Sequence, residues 1–373
     1  MTTLLNSGTY GCIFHPSINV CDGNLDQEID SEHYITKIQR YEKDDDELAI
    51  SRELQTIPHY EQYFAPIVKT CVVRGTNINY DLVRACKEMQ NDFSEFNSTI
   101  QYSSSKVRYV GKYNIGKYIK TLTDPLQQLK KIVNTHLHLL EALQYLISKK
   151  IVHFDLKLDN IMFDDIQSIP IIIDFGISKN LTPLRIGADG SVDLTAHTPL
   201  NISNGAPSGH HSRDVRETLQ QLFISDDPYD FWCIDIFIIC NIVYERNFYK
   251  TSVVTHQALE SLLENFKTQT FTTLLTATEI RSFEMNYKHY FSKYVLQKAT
   301  WATVLQDLLP YYPTWDNYAV AMTYLYMCKR NPGLQQEQTV SYITMLKDIL
   351  TAMPNKRMSP KETQAKLREI FVQ

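Results

Sequence analysis

The rhythm of apolar and polar positions changes near residue 124. Before it, short alternating runs rich in β-branched residues (Tyr34–Gln39, Ile67–Arg74 and Ile78–Val83) read as strands, with one acidic helix start at Asp44-Asp45-Asp46-Glu47. After it, Leu129, Ile132, Val133, Leu137, Leu140, Leu143, Leu146 and Ile147 recur three and four apart, the stripe of one long amphipathic helix. Two short strands follow, Asn160–Phe163 and Pro170–Asp174. A polar stretch from Leu181 to Asp227, dense in Gly, Ser, Pro and Asn, reads as irregular and mobile. Helical periodicity then returns in Trp232–Glu245, Gln257–Phe266, Thr278–Gln306, Trp315–Cys328, Tyr342–Met353 and Ser359–Phe371. A β-rich first part and a larger helical second part predict an α+β fold in two segregated lobes.

Composition narrows the class. The 373 residues are 43% apolar and 21% charged, which excludes a disordered tail, a collagen-like fibre and a membrane bundle. With 37 Lys+Arg against 42 Asp+Glu the net charge is −5, so nucleic acid is not expected as a partner. The densest apolar window, Ile234 to Tyr244, contains Asp235 and is too short to span a bilayer, so no transmembrane segment is expected. The opening MTTLLNSGTYG has no basic stretch followed by an apolar run, so no secretory signal is expected. Seven cysteines without a C-x-x-C pair predict reduced, mostly buried thiols in a cytosolic setting, with neither a disulfide framework nor a zinc site. The 12 glycines are few, against roughly 26 at ordinary usage, so their places matter.

Several of those places suit phosphate chemistry. In Asn6-Ser7-Gly8-Thr9-Tyr10-Gly11-Cys12-Ile13, Gly8 and Gly11 let the backbone approach a polyphosphate and cradle it with N–H groups. A plain hairpin turn has the same pattern. The run Val152-His153-Phe154-Asp155-Leu156-Lys157-Leu158-Asp159-Asn160 is more specific, because Asp174-Phe175-Gly176 follows fourteen residues after Asn160. Asp155 can take a proton from a hydroxyl, and Lys157 can neutralise a transferred phosphate. Asn160 and Asp174 are hard oxygen donors of the kind Mg²⁺ takes. Singly, each could be a turn cap or a solvated charge. Together, between a long helix and a polar loop, they point to phosphoryl transfer.

This set resembles the eukaryotic-type protein kinase family, whose signatures are H-R-D-L-x-x-x-N and D-F-G. The resemblance implies a bilobal protein-kinase-like fold: a small β-rich N-lobe over 1–108, a hinge at 109–113 and a larger α-helical C-lobe over 114–373. It implies ATP and Mg²⁺ as cofactors, with Mn²⁺ as the alternative metal, and protein Ser/Thr hydroxyls as substrates. Asn6 stands at the first glycine of the nucleotide loop, with Gly8, Gly11 and Ile13 completing it, and Lys37 matches the strand lysine on the α/β-phosphates. Glu47, with Ile50 and Leu54 on one stripe, matches that lysine's partner, and Glu53 is the alternative. Asp155 matches the catalytic base, and Asn160 and Asp174 the two metal holders. Lys157 favours Ser/Thr over Tyr specificity. The hinge falls near Val107 to Tyr113.

Later segments match in part. Asp230-Phe231-Trp232-Cys233-Ile234-Asp235 resembles the D-x-W-S-x-G opening of the central lower-lobe helix, which implies that Asp230 supports the catalytic-loop backbone. Pro354-Asn355-Lys356-Arg357-Met358-Ser359 resembles D-P-x-x-R-x-S/T, but the A-P-E partner of its Arg is reduced to Ala206-Pro207-Ser208. Phe154 replaces the arginine of H-R-D, which argues against switching by a phosphorylated activation loop. Ser191, Thr195, Thr198, Ser203, Ser208 and Ser212 are therefore weak regulatory candidates, and His153 reads as a packing residue.

A narrower resemblance is to the Ser/Thr kinases of large cytoplasmic DNA viruses, the poxvirus, iridovirus and giant-virus group. It is carried by His153 to Lys157, Ile171 to Gly176 and Thr314-Trp315-Asp316-Asn317-Tyr318, with Trp315 and Tyr318 read as packing aromatics. It implies viral or host protein substrates, a host-cell cytoplasmic location and packaging in the virion. Asn6, Phe154 and the missing A-P-E motivate the alternative of a kinase-fold scaffold without catalysis; a small-molecule kinase is a further alternative. The oligomeric state is left open.

Overall fold

Alternation in the first hundred residues becomes a sheet, and the later three- and four-residue spacing becomes helices. The computed structural model describes residues 3–8, 11–21, 31–41, 46–78, 81, 84, 86, 89, 100–185, 215–223, 229–244, 252–330 and 337–371. Its strands are β1 (Thr3–Gly8), β2 (Gly11–His15), β3 (Tyr34–Arg40), β4 (Phe64–Ala65), β5 (Ile67–Arg74), β6 (Gln101–Arg108), β7 (Ile151–Val152), β8 (Ile161–Asp164), β9 (Ile169–Ile173) and β10 (Lys179–Asn180). Its first helices are α1 (Asp46–Leu54), α2 (Ile115–Thr121), α3 (Pro125–Ser148), α4 (Val215–Leu222), α5 (Ile234–Tyr244) and α6 (His256–Phe266). The rest are α7 (Gln269–Leu274), α8 (Ala277–Leu296), α9 (Trp301–Leu308), α10 (Trp315–Lys329), α11 (Glu337–Thr351) and α12 (Pro360–Phe371). The chain divides into two compact units, 1–118 with 158–178, and 119–157 with 179–373.

The first unit holds an antiparallel five-stranded sheet in the order β1-β2-β3-β6-β5. Its register sets Ile13 opposite Lys37, and Lys37 opposite Ser105. Because side chains alternate along a strand, Cys12 and Phe14 point to the opposite face, where they pack with Ile38, Val73 and Tyr102. Helix α1 buries Glu47, Ile50, Ser51 and Leu54, and the Ser51 hydroxyl accepts from the Ile67 N–H at 3.0 Å, which ties α1 to β5. A second sheet, β4-β9-β8, carries the approach to Asp174.

Two cross-links in this unit overturn the expectation of reduced thiols. Cys12 is bonded to Cys86 and Cys21 to Cys71, with Cα separations of 5.9 and 6.1 Å. Cys233, Cys240 and Cys328 take no part in a disulfide and are buried. Partners 74 and 50 residues apart leave no local spacing to read.

The second unit is built on α3. Asp124 caps it, its carboxylate accepting from the N–H groups of Leu126 and Gln127. Most of the predicted stripe of α3 is buried, with Leu137 and Ile147 half-buried, and α10, polar residues included, is buried on nearly every side. The two helices meet through a polar pair inside the core, Tyr324 donating to the Thr135 hydroxyl at 3.0 Å. His136 stacks on Tyr324 and lies 2.8 Å from the Tyr342 hydroxyl of α11. Burial pulls the His136 imidazole down to about 3.

Three sequence expectations differ from the fold. Thr278–Gln306 is not one helix: it breaks after Leu296 at Lys298, whose φ is 51°, before α9 begins. A 3₁₀ turn, Gly75–Asn77, closes β5, and of the expected strand Ile78–Val83 only Ile78, in a bend, and Asp81, in a helical turn, are among the described residues. Within 181–227, Val215–Leu222 is helical, its buried Leu219 and Leu222 spaced three apart among polar neighbours that hide the period. Ser191, Thr195, Thr198, Ser203, Ala206, Pro207, Ser208 and Ser212 lie outside the described residues, as do Asp44 and Asp45. Among the described residues no helix is long and apolar enough to cross a membrane.

Candidate active site

The first unit contains a cavity of about 580 Å³. Gly11 and Ile13 of β2, Lys37 of β3, Glu47 of α1, and Asn160 and Asp174 line it, as do the candidate hinge residues Val107 to Lys112. Asn6 and Gly8 lie in β1, paired with Ile13 and Gly11. Gly11 has φ 119°, and a Cβ there would come within 2.2 Å of the Ile38 carbonyl oxygen. Only glycine fits that close approach of β2 to β3.

Lys37 is the centre of charge. Its Nζ lies 2.8 Å from Glu47 Oε2 and 3.3 Å from Asp174 Oδ1. Burial alone would pull the ammonium down, but the charges of Glu47 and Asp174 and their hydrogen bonds outweigh it, and the net shift is upward. The cation therefore stays charged in its pocket. Glu47, rather than Glu53, supplies the helix carboxylate. Asp174 sits in the left-handed region with φ 62°, directly after β9. Gly176 follows so closely that a Cβ there would lie 3.4 Å from Asp174 Oδ1. Beside them, the Asn114 amide donates to Asp159 at 2.9 Å, next to Asn160.

At the rim, the ring of Tyr109 stacks on His15 with centroids 3.9 Å apart, and its N–H donates to the His33 carbonyl. A Cβ on Gly111 would meet the Phe163 carbonyl at 2.7 Å.

Asp155 and Lys157 belong to the second unit. Lys157 Nζ reaches Asp155 Oδ1 at 2.9 Å and Oδ2 at 3.0 Å, and the Tyr229 hydroxyl donates to Oδ1. The Asp155 N–H donates to His153 Nδ1 at 3.2 Å, and His153 is fully buried, as a packing residue would be. Phe154 is also buried, with φ 65°, among Phe223, Trp232 and Trp315. An aromatic nest fills the place where the resemblance would put an arginine.

The backbone of this loop is held from α10. Asp316, the second residue of α10, accepts from the His153 N–H at 2.8 Å and the Phe154 N–H at 3.2 Å. Burial pushes the Asp316 carboxyl up, opposed by the neighbouring His153 and by these two N–H bonds. Sequence reasoning missed this role of Asp316, whose sign is a carboxylate inside a helix with no polar face. Tyr229 was also missed, and no sequence signal marks it. Arg357 finds its partner in Asp235, through bonds of 2.6 and 2.9 Å.

Comparison with known proteins agrees with this architecture. The protein kinase domain family matches residues 27–189, less than half of the chain. A serine/threonine-protein kinase-like protein of Arabidopsis thaliana is 28% identical over 102 residues, 26% of this chain and 30% of that protein. The megakaryocyte-associated tyrosine-protein kinase of Rattus norvegicus is 33% identical over 102 residues, 26% of this chain and 21% of the relative. The probable serine/threonine-protein kinase fnkB of Dictyostelium discoideum is 29% identical over 112 residues, 28% of this chain and 20% of the relative. The chain thus spans no more than 30% of the length of these relatives. The fold is that of a protein kinase domain, a β-sheet region followed by a helical one. Similarity extends to both serine/threonine and tyrosine kinases.

Proposed function

We propose that the protein is a Mg-ATP-dependent serine/threonine protein kinase that transfers the γ-phosphate of ATP to protein hydroxyls. The observation that carries this reading is the buried Lys37 held by Glu47 and Asp174 on the wall of a cavity that Gly11 and Asn160 also line. Lys37 would bind the α/β-phosphates, and the backbone of β1 and β2 would lie along them. Asp155 would orient the acceptor hydroxyl and take its proton as that oxygen bonds to the γ-phosphorus and the bridging bond to ADP breaks. Lys157 would neutralise the transferred group, and positioning and charge would supply most of the rate.

Asn160 and Asp174 suit a divalent cation, because Mg²⁺ takes one or two protein oxygens and completes its shell with water and phosphates. When bound, such an ion supplies charge neutralisation on the phosphates.

Lys157 supports Ser/Thr acceptors. The narrower origin among large cytoplasmic DNA viruses rests on His153 to Lys157, Ile171 to Gly176 and Thr314 to Tyr318. Viral or host protein substrates, a host-cell cytoplasmic location and virion packaging are proposed with it. The test is transfer of radiolabelled γ-phosphate to casein, followed by phosphoamino-acid analysis. Wild-type transfer to Ser and Thr, lost in Asp155→Asn at unchanged stability, is expected. Equal transfer by Asp155→Asn would refute the mechanism.

A further inference from the structure

Tyr229 belongs to no motif of the chain, yet its hydroxyl donates to Oδ1 of Asp155. That oxygen also accepts from Lys157, whose ammonium lies 5.7 Å from the centre of the Tyr229 ring. A carboxylate, an ammonium and a phenol therefore close on one another. The phenol is not on a loose arm. The Trp232 N–H donates to the Tyr229 carbonyl at 2.9 Å, and the Trp232 ring packs edge-on against Tyr229 at 5.6 Å. Trp232 Nε1 in turn donates to the Phe154 carbonyl at 2.9 Å, one residue before Asp155. The turn that carries Tyr229 is fastened to the very loop whose carboxylate Tyr229 holds.

We propose that Tyr229 is a positioning residue for phosphoryl transfer, fixing the Asp155 carboxylate and the Lys157 ammonium for the acceptor hydroxyl. This inference rests on the kinase reading above. The terminal torsion of an aspartate is broad and soft, and a lysine on a four-carbon stem cannot fix it alone. A phenol has few torsions to lose, and a hydrogen bond to an ionised carboxylate is stronger than one between neutral groups. Holding that carboxylate in one orientation matters because small misplacements of a catalytic group lower rates about a hundredfold. The opposite reading, in which the hydroxyl blocks the acceptor's place, predicts an effect of opposite sign.

Tyr229→Phe separates these, since it keeps the ring and its packing on Trp232 and removes only the hydroxyl. Steady-state transfer from Mg-ATP to casein and thermal unfolding are measured on the full chain for wild type, Tyr229→Phe and Asp155→Asn. The expected result is a kcat about tenfold to a hundredfold lower in Tyr229→Phe, with KM for ATP and Tm unchanged. An unchanged kcat, a raised kcat, or a kcat that falls together with Tm would each overturn the proposal. A wild type that transfers no phosphate, or transfers no more than Asp155→Asn, removes the kinase reading and this inference together. Transfer lost in Asp155→Asn but retained in Tyr229→Phe removes this inference alone.

Discussion

Arg357 and Asp235 lie 122 residues apart and form a two-bonded ion pair whose side chains are 1% and 0% exposed. Trp315 Nε1 donates to the same carboxylate at 2.9 Å, so α5, α10 and the turn before α12 meet on one charge. A fully buried pair of this kind tolerates loss of both charges better than loss of one. Arg357→Leu or Asp235→Asn alone should destabilise the protein by about 3–5 kcal/mol in urea unfolding. Replacing both by apolar residues should cost less than the sum of the two.

The triad of Lys37, Glu47 and Asp174 makes a graded prediction. Lys37→Met should lower phosphoryl transfer by about 10²–10³ or more, because it removes a charge aimed at the phosphates. Glu47→Gln keeps the shape but loses one charge-assisted bond to Lys37, and should cost about tenfold to a hundredfold. Initial rates at saturating peptide check both.

Asp316→Ala leaves the His153 and Phe154 N–H groups without their acceptor in a buried setting. Each such loss costs about 1–3 kcal/mol. A lowered Tm is expected, with a lower kcat at unchanged KM for ATP, measured by thermal unfolding and steady-state kinetics.

The two cross-links predict a thiol count. Alkylation of the denatured, unreduced chain should label three cysteines, and prior reduction should raise this to seven. Because each bond closes a long loop, of separation 74 or 50, reduction should remove about 2–4 kcal/mol per bond. Thermal unfolding with and without reductant, and of Cys86→Ser, tests it.

His136 predicts a pH dependence. Its folded pKa of about 3 lies below the ordinary 6.5, so the unfolded chain takes the proton first. Its contribution is fully present above pH 6.5 and is lost as pH falls toward 3, at about 1.4 kcal/mol per pH unit. In His136→Phe this part of the slope should vanish from urea midpoints measured between pH 4 and pH 7.

Much of the architecture was legible in periodicity alone. The stripe from Leu129 to Ile147 became α3, most of it buried, and the run at Tyr34–Gln39 became β3, whose middle residues Thr36, Lys37 and Ile38 are buried on both faces. Asn160 and Asp174 were legible from short motifs of fixed spacing and Lys37 from its strand, whereas Glu47 was chosen over Glu53 only by its stripe with Ile50 and Leu54, and the contact with Lys37 settles it. Asp316, Tyr229 and the cystine partners were not legible, since their meaning lies in contacts across 50 to 163 residues. Asp235 shows the same limit: standing at the glycine position of D-x-W-S-x-G, it reads as a departure in the sequence and as the partner of Arg357 in the fold.

The contact from Asp316 to the loop at 153–154 has a consequence for how the protein is made. A nascent chain that has emerged only to residue 189, where the family match ends, already carries Lys37, Asp155, Asn160 and Asp174. It lacks the carboxylate that accepts from the His153 and Phe154 N–H groups, because Asp316 lies more than a hundred residues further on and is not yet translated. Asp155 is thus translated well before the carboxylate that fastens the backbone of its loop, and the proposed chemistry would wait for the later half of the chain.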